Sequence, residues 1–116
     1  MNVEDLTPAE IAAKLKDGSI VLIDVREPPE YAAERIHGAL LFPLSTFDPA
    51  ALPDAGKRAL VFHCGSGMRS AKAVAQCAAA GLPNRAHMAG GIQAWKAAGL
   101  PTIAVDPSTG QVIDRR

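Results

Sequence analysis

The fold of this chain is decided by the stretch Ala59-Leu60-Val61-Phe62-His63-Cys64-Gly65-Ser66-Gly67-Met68-Arg69-Ser70. It opens with a short apolar run without polar alternation, which is typical of a strand buried on both faces. Two glycines follow the cysteine, and strongly helix-forming residues continue from Ala71 to Ala80. The stretch therefore predicts a buried strand from Leu60 to His63, a loop that begins at Cys64, and a helix that begins at about Ser70.

Apolar runs of the same kind occur on both sides of this stretch. The longest extends from Ile20 to Val25, and a shorter one extends from Ala39 to Phe42. Residues 85–88 form a weaker strand candidate, and Val3 to Asp5 is a candidate edge strand. The chain therefore contains enough short apolar runs to build one sheet.

Helices are predicted between these strands. The segment Thr7-Pro8-Ala9-Glu10 is typical of a helix start with a capping box, and Gly18 ends that helix. A later helix passes through Trp95 and ends near Gly99. Strands that alternate with helices predict an α/β domain with a mostly parallel sheet covered by helices on both faces.

Composition and charge limit the classes of function. At 116 residues the chain has the size of one domain, and its 48% hydrophobic and 21% charged residues are the balance of a folded globular protein. Twelve basic and twelve acidic residues cancel without a basic cluster, so we expect no nucleic-acid partner. The acidic N-terminus does not resemble a secretory signal, and no apolar stretch approaches the ~18 residues that span a bilayer. We expect a cytoplasmic protein with no membrane contact in this chain.

Cys64 is the strongest candidate for a reactive residue. Ligands of open α/β sheets bind where strands end and helices begin, and Cys64 occupies such a junction. Gly65 and Gly67 allow successive backbone N–H groups to point at the sulfur, while the helix N-terminus and Arg69 add positive charge. These features predict a Cys64 pKa below the ~8.5 of a free cysteine, and hence a nucleophilic thiolate. The alternative is a small buried core residue.

Cys77 is predicted to be such a core residue. It lies on the side of its helix away from the polar residues Lys72 and Gln76. Seven residues of helix place it ~10 Å beyond the loop, farther than the ~7 Å that a disulfide can span. Both cysteines are therefore expected to be free.

No metal site is predicted. The cysteines and the three histidines lack the close spacings of zinc ligands. The ring of His63 is expected to face away from its neighbour in sequence, because consecutive strand residues point to opposite faces. The histidines are His37, His63 and His87.

Asp24 is a candidate supporting residue, since a carboxylate that ends a buried strand needs hydrogen-bond donors. Arg26 and Arg69 can supply them, with a plain surface ion pair as the alternative. Trp95 and Tyr31 are expected to be core anchors, because a chain with 4% aromatic residues needs them for packing.

These motifs together resemble the rhodanese-like domain family from about Thr7 to Pro101. The resemblance is carried by Leu22-Ile23-Asp24-Val25-Arg26-Glu27, Glu30-Tyr31, Ile36-His37-Gly38-Ala39, Pro43-Leu44, the loop from Cys64 to Ser70, and Gly90-Gly91-Ile92-Gln93-Ala94-Trp95-Lys96-Ala97-Ala98-Gly99-Leu100-Pro101. One departure is clear: many relatives read Gly-His-Ile-Pro-Gly-Ala where this chain reads Glu34-Arg35-Ile36-His37-Gly38-Ala39.

The resemblance implies a rhodanese-like fold with a five-stranded, mostly parallel sheet flanked by helices on both faces. It implies a thiosulfate sulfurtransferase type of enzyme in which Cys64 takes a sulfane sulfur from a small anionic donor such as thiosulfate, holds it as a persulfide, and passes it to cyanide or a thiol. No metal or organic cofactor is implied. The implied substrate-binding residues are Gly65, Ser66, Gly67, Met68 and Arg69, and the implied supporting residues are Asp24, Arg26 and Ser70.

Three other functions stay open. Related domains with a longer loop are cysteine phosphatases or arsenate reductases, but those loops place five residues between cysteine and arginine, whereas four stand between Cys64 and Arg69 here. A persulfide carrier that delivers sulfur to a protein acceptor and a catalytically idle interaction module are the others. Residues 1–101 are expected to form the rhodanese-like domain. Residues 102–116 are expected to form a tail or linker, with a hairpin, a linker and a disordered end as open conformations.

Overall fold

The computed structural model describes residues 3–83 and 86–115, and most of them belong to short helices and strands. The strands are β1 (Glu4–Leu6), β2 (Ile20–Asp24), β3 (Glu34–Arg35), β4 (Leu40–Leu41), β5 (Ala59–His63), β6 (Ala86–Met88), β7 (Thr102–Val105) and β8 (Val112–Arg115). The helices are α1 (Pro8–Asp17), α2 (Pro28–Ala33), α3 (Met68–Ala79) and α4 (Gly91–Ala97), and two 3-10 turns cover Leu44–Thr46 and Pro49–Ala51.

Five strands form the parallel sheet that the sequence predicts. Their order is β1-β6-β5-β2-β4, and every neighbouring pair is parallel. β5 lies in the middle because its apolar residues pack on both faces of the sheet. The loop after β5 therefore begins at the centre of the sheet edge where the strands end.

Helices cover both faces of this sheet. Alternate residues of β5 point to two different apolar clusters: Val61 packs in the cluster that contains α1 and α4, and Phe62 packs in the cluster that contains α3. Cys77 is fully buried in the second cluster, as predicted. Trp95 is a core residue of the first cluster, and its Nε1 donates to the carbonyl of Pro101.

Helix ends follow the local signals in the sequence, with shifts of a few residues. The capping box between Thr7 and Glu10 forms in both directions, and Gly18 adopts a φ of 75° where α1 ends. α3 begins at Met68 rather than at about Ser70. The predicted strand at residues 85–88 is β6, although Arg85 lies outside the described residues.

One helix was not predicted from the sequence, and one expectation about packing was wrong. The segment after Glu27 forms the short helix α2, because Pro28 and Pro29 suit the first helical turn and Glu30 accepts a hydrogen bond from the Glu27 amide. Tyr31 in this helix is half-buried rather than a core anchor, and its hydroxyl donates to the carbonyl of Ala39.

Of the conformations left open for the tail, the structure contains the hairpin. β7 and β8 pair antiparallel, and β7 also pairs antiparallel with β3 in a second, three-stranded sheet. The unusual Glu34 of β3 accepts hydrogen bonds from Lys96 and from Thr102 of β7, at 2.8 and 2.6 Å. The boundary at residue 101 stays a prediction. Among the described residues, no helix is both long and apolar enough to cross a bilayer.

The first turn of α4 holds the loop that follows β5. The amide of Ile92 donates to the carbonyl of Cys64 at 2.8 Å, and the amide of Gln93 donates to the carbonyl of Gly65 at 3.2 Å. This approach requires a glycine at position 91, where φ is 61° and an added Cβ would come within 2.6 Å of the carbonyl carbon and oxygen of Gly65. α4 therefore pulls the loop carbonyls outward.

Gly91→Ala is therefore expected to lower the free energy of unfolding by about 3 kcal/mol or more, because a backbone clash adds to the strain of a positive φ. Gly99→Ala is the matched control. Gly99 has a φ of 77° but no atom near its missing Cβ, so only the ~1 kcal/mol cost of the left-handed conformation applies. Denaturant unfolding measures both values, and equal losses would contradict the role given to the close contact.

Candidate active site

Cys64 lies at the centre of the candidate site, directly after β5. It belongs to the apolar cluster beneath α3, while the preceding His63 contacts Asp24 on the opposite face of the sheet. The Cys64 residue is 0% exposed. The predicted nucleophile is therefore covered by its own loop and separated from the His63 ring, as the strand alternation indicated.

The Cys64 sulfur accepts hydrogen bonds from the loop that surrounds it. The amide of Gly67 lies 3.0 Å from Sγ and the amide of Ser70 lies 3.4 Å away, while Ser70 Oγ lies 3.6 Å from the same sulfur. Burial raises the pKa of the Cys64 thiol, but the Ser70 hydroxyl and the amides of Ser70, Gly67 and Ser66 outweigh it, so that the pKa is lowered overall. Dipoles rather than a full positive charge thus stabilise the thiolate.

Gly67 makes this geometry accessible to the backbone. It precedes α3 with a φ of 106°, a region that residues with a side chain rarely adopt, and a Cβ there would lie 3.3 Å from the amide nitrogen of Gly90. The loop therefore turns its amides inward just before α3 begins, so that the helix N-terminus also faces the sulfur.

Arg69 has a different partner from those expected. Its guanidinium binds the two carboxylate oxygens of Glu30 at 2.6 and 2.9 Å and does not contact Asp24. The hydrogen bonds from Arg69 lower the pKa of Glu30 to about 2, and Glu30 in turn raises the pKa of Arg69. Both groups are therefore charged at neutral pH, and the positive charge beside the loop is balanced in this structure.

Of the two arginines that were expected to bind Asp24, only Arg26 donates hydrogen bonds to it. The amide, Nε and Nη2 of Arg26 contact the fully buried carboxylate at 2.8 to 3.1 Å, and Nη2 also donates to the carbonyl of Glu34 at 2.6 Å. His63 lies on the other side, with Nε2 3.4 Å from Asp24, and burial lowers its pKa. This buried cluster supports the ends of β2 and β5, directly beneath the loop, and is not a surface ion pair.

The remaining predicted residues lie on the outer side of the loop. Gly65 is half-buried, with its missing Cβ 3.1 Å from an Arg69 nitrogen, and Ser66 is exposed. Met68 is 72% exposed, the largest exposed apolar fraction among the large hydrophobic side chains that the structure describes. These residues form the outer side of the loop around the sulfur.

Two neighbours of the site were missed by the sequence argument. Ser70 Oγ lies 2.8 Å from His87 Nδ1, and His87 Nε2 lies 2.7 Å from Asp5 Oδ1. No spacing motif joins these residues, since they are brought together only by the parallel pairing of β1 with β6. The described residues contain no group of three or more His, Cys, Asp or Glu side chains that could hold a metal ion.

Comparisons with known proteins agree with this architecture. The Rhodanese-like domain model matches residues 7–98. An uncharacterized protein of Synechocystis is 39% identical over 98 residues, which are 84% of this chain and 55% of that protein. A sulfurtransferase of Allochromatium vinosum is 33% identical over 88% of this chain and 96% of its own length. The crystal structure of a rhodanese-related protein from Thermoplasma volcanium has a TM-score of 0.73 and 29% identity, covering 85% of this chain and 96% of that one.

The chain thus spans about half the length of the Synechocystis protein but nearly the whole length of the Allochromatium one. The family model covers four of the five strands of the parallel sheet, the helices α1 to α4 and the complete loop around Cys64. With the parallel five-stranded sheet and the cysteine loop at its centre, these matches establish that the chain belongs to the rhodanese-like domain family.

Proposed function

We propose that this chain is a sulfurtransferase that moves a sulfane sulfur from an anionic donor such as thiosulfate to a thiophilic acceptor, through a persulfide on Cys64. The observation that carries the proposal is the ring of inward-pointing amides around the Cys64 sulfur, which lowers its pKa in spite of burial. A thiolate is the reactive form of cysteine in sulfur transfer, and a lowered Cys64 pKa increases the thiolate fraction at any given pH.

In the first half-reaction the thiolate attacks the outer sulfur of thiosulfate. A new bond forms between Cys64 Sγ and that sulfur, the sulfur–sulfur bond of thiosulfate breaks, and its electron pair leaves with sulfite. The enzyme then holds an anionic persulfide. Amides of the loop, such as that of Gly67, are suited to stabilise this anion, because they are already oriented and need no reorganisation.

In the second half-reaction cyanide or a thiolate attacks the terminal persulfide sulfur and restores the Cys64 thiolate. No step requires a metal or an organic cofactor. A protein that presents a thiol is a further acceptor under this proposal, since the outer loop residues Ser66 and Met68 are exposed. The proposed setting for this chemistry is the cytoplasm, where thiols stay reduced.

The loop is less suited to phosphoryl or arsenate chemistry. Four residues separate Cys64 from Arg69, one fewer than the five that the loops of cysteine phosphatases and arsenate reductases place there. Intact-mass measurement after mixing with thiosulfate separates the functions. A gain of one sulfur atom at Cys64 supports sulfur transfer, whereas an idle interaction module would gain none.

Cys64→Ser is expected to abolish sulfur transfer, because a serine hydroxyl is not ionised at neutral pH and holds no sulfane sulfur. Cys77→Ala is the matched control, since it removes the other thiol from the same apolar cluster. It should keep nearly full turnover while losing on the order of 1 kcal/mol of stability. Steady-state thiocyanate formation measures the turnover of both variants. Transfer above background in folded Cys64→Ser would refute the assignment of Cys64 as the nucleophile.

Arg69→Ala is expected to lower kcat/KM for thiosulfate by roughly 10²-fold, because it removes the cation beside the loop and leaves the carboxylate of Glu30 to repel a dianion. Glu30→Gln should act in the opposite direction. It releases the guanidinium from its bidentate partner, so the KM for thiosulfate should fall and become more sensitive to salt.

Arg69→Lys should restore only part of the loss, since an ammonium lacks the planar fork of guanidinium. Steady-state kinetics with thiosulfate at two ionic strengths measure kcat/KM and KM for all three variants. If Arg69→Ala matched the wild type at both, the residue would serve the structure rather than donor capture.

A further inference from the structure

Four polar side chains form a continuous pathway from the covered sulfur to the surface. Cys64 Sγ lies 3.6 Å from Ser70 Oγ, Ser70 Oγ lies 2.8 Å from His87 Nδ1, and His87 Nε2 lies 2.7 Å from Asp5 Oδ1. Cys64 and Ser70 are 0% exposed, whereas the side chains of His87 and Asp5 are 9% and 68% exposed. This polar pathway thus joins a sulfur that water does not contact to a carboxylate in solvent.

Backbone structure holds the polar pathway from several sides. Asp5 and His87 are register partners in the parallel pair of β1 and β6, so their side chains project from the same face of the sheet. Ser70 is in the first turn of α3. The His87 ring also packs beneath the loop, since Cε1 lies 3.8 Å from the position that a Cβ on Gly67 would take. The ring therefore has little freedom to leave this position.

The partners determine where the protons lie. A carboxylate only accepts hydrogen bonds, so Asp5 places the His87 proton on Nε2 and leaves Nδ1 as an acceptor for the Ser70 hydroxyl. The carbonyl of Gly67 competes for that hydroxyl, but at 3.2 Å it is farther than the 2.8 Å of Nδ1. The Ser70 oxygen then accepts the hydrogen bond of the Cys64 thiol.

We propose that Ser70, His87 and Asp5 are positioning residues that carry the Cys64 proton away from the sulfur and so generate the thiolate. The S–H bond of Cys64 and the O–H bond of Ser70 break, while a new O–H bond forms on Ser70 and an N–H bond forms at His87 Nδ1. The sulfur becomes a thiolate, the ring becomes an imidazolium, and no electrons are transferred between groups. The importance of the polar pathway for turnover rests on the proposed function. Its effect on the ionisation of the Cys64 thiol does not depend on that function.

The neighbouring charges favour this proton transfer. Asp5 is the carboxylate that contacts His87, with Oδ1 2.7 Å from Nε2. Arg69 interacts electrostatically with Cys64, but Glu30 binds its guanidinium. Asp24 and Arg26 form an ion pair with each other on the opposite face of the sheet. A proton acceptor along the polar pathway is therefore the local means of ionising a sulfur that lacks direct contact with water.

The test is the pH dependence of Cys64 alkylation by iodoacetamide, followed by peptide mass spectrometry in the full chain. His87→Gln should shift the midpoint upward by about one pH unit and slow alkylation at neutral pH by about 10-fold, with recovery at high pH. Asp5→Asn should shift the midpoint in the same direction by about half a unit, or roughly 3-fold in rate. Glu4→Gln is the matched control, because it removes the same charge from the adjacent, exposed position of β1.

A role limited to folding would change thermal stability without moving the midpoint. Asp5 is at the surface, so its amide variant is expected to fold even if His87→Gln does not. An unchanged midpoint in folded Asp5→Asn, or an equal shift in Glu4→Gln, would overturn the polar pathway. If His87→Gln and Asp5→Asn both shift the midpoint of alkylation but the wild type transfers no sulfur, the proposed function is refuted and the polar pathway is supported.

Discussion

The orientation of the peptide groups in the loop from Cys64 to Ser70 is the constraint on which the site depends. A peptide group that turns its carbonyl outward turns its amide inward, and α4 binds the carbonyls of Cys64 and Gly65 from outside. The Gly65 carbonyl shares its peptide group with the Ser66 amide, which is hydrogen-bonded to the sulfur as are the amides of Gly67 and Ser70. The Gly90-Gly91 pair matters for this reason, since a side chain at Gly91 would collide with those carbonyls. The closing helix of the domain is thus part of the active-site structure although none of its side chains touches the sulfur in the contacts described.

The site stabilises negative charge mainly with dipoles. The hydrogen bonds that lower the Cys64 pKa come from neutral groups, while Arg69, a cation of the same loop, is paired with Glu30. Buried hydrogen bonds are screened by salt much less than exposed charges are. The ionisation of Cys64 and the proposed capture of an anionic donor are therefore separable properties, the first set by buried dipoles and the second expected to depend on the pair of Arg69 and Glu30.

Glu34 of β3 is joined to the residues that support the site. Its backbone carbonyl accepts a hydrogen bond from Arg26 of the buried Asp24 pair. Its carboxylate accepts hydrogen bonds from Thr102 of the hairpin and from Lys96 of α4. The C-terminal hairpin is in this way connected through Glu34 to the residues that hold the ends of β2 and β5.

Local patterns in the sequence were sufficient for most of the elements and for the position of Cys64 at the start of a loop after a buried strand. The capping box at Thr7, the apolar run of β5 and the glycines around Cys64 each act within a few residues, and all of them appear in the structure. Partners that come from distant segments could not be predicted in this way. The sequence could not show that Glu30 rather than Asp24 binds Arg69, or that Asp5 meets His87, because the contacting residues are 39 and 82 positions apart. Only the pairing of strands and the packing of helices brings such residues together, and that packing decides which charges around the sulfur are free and which are balanced.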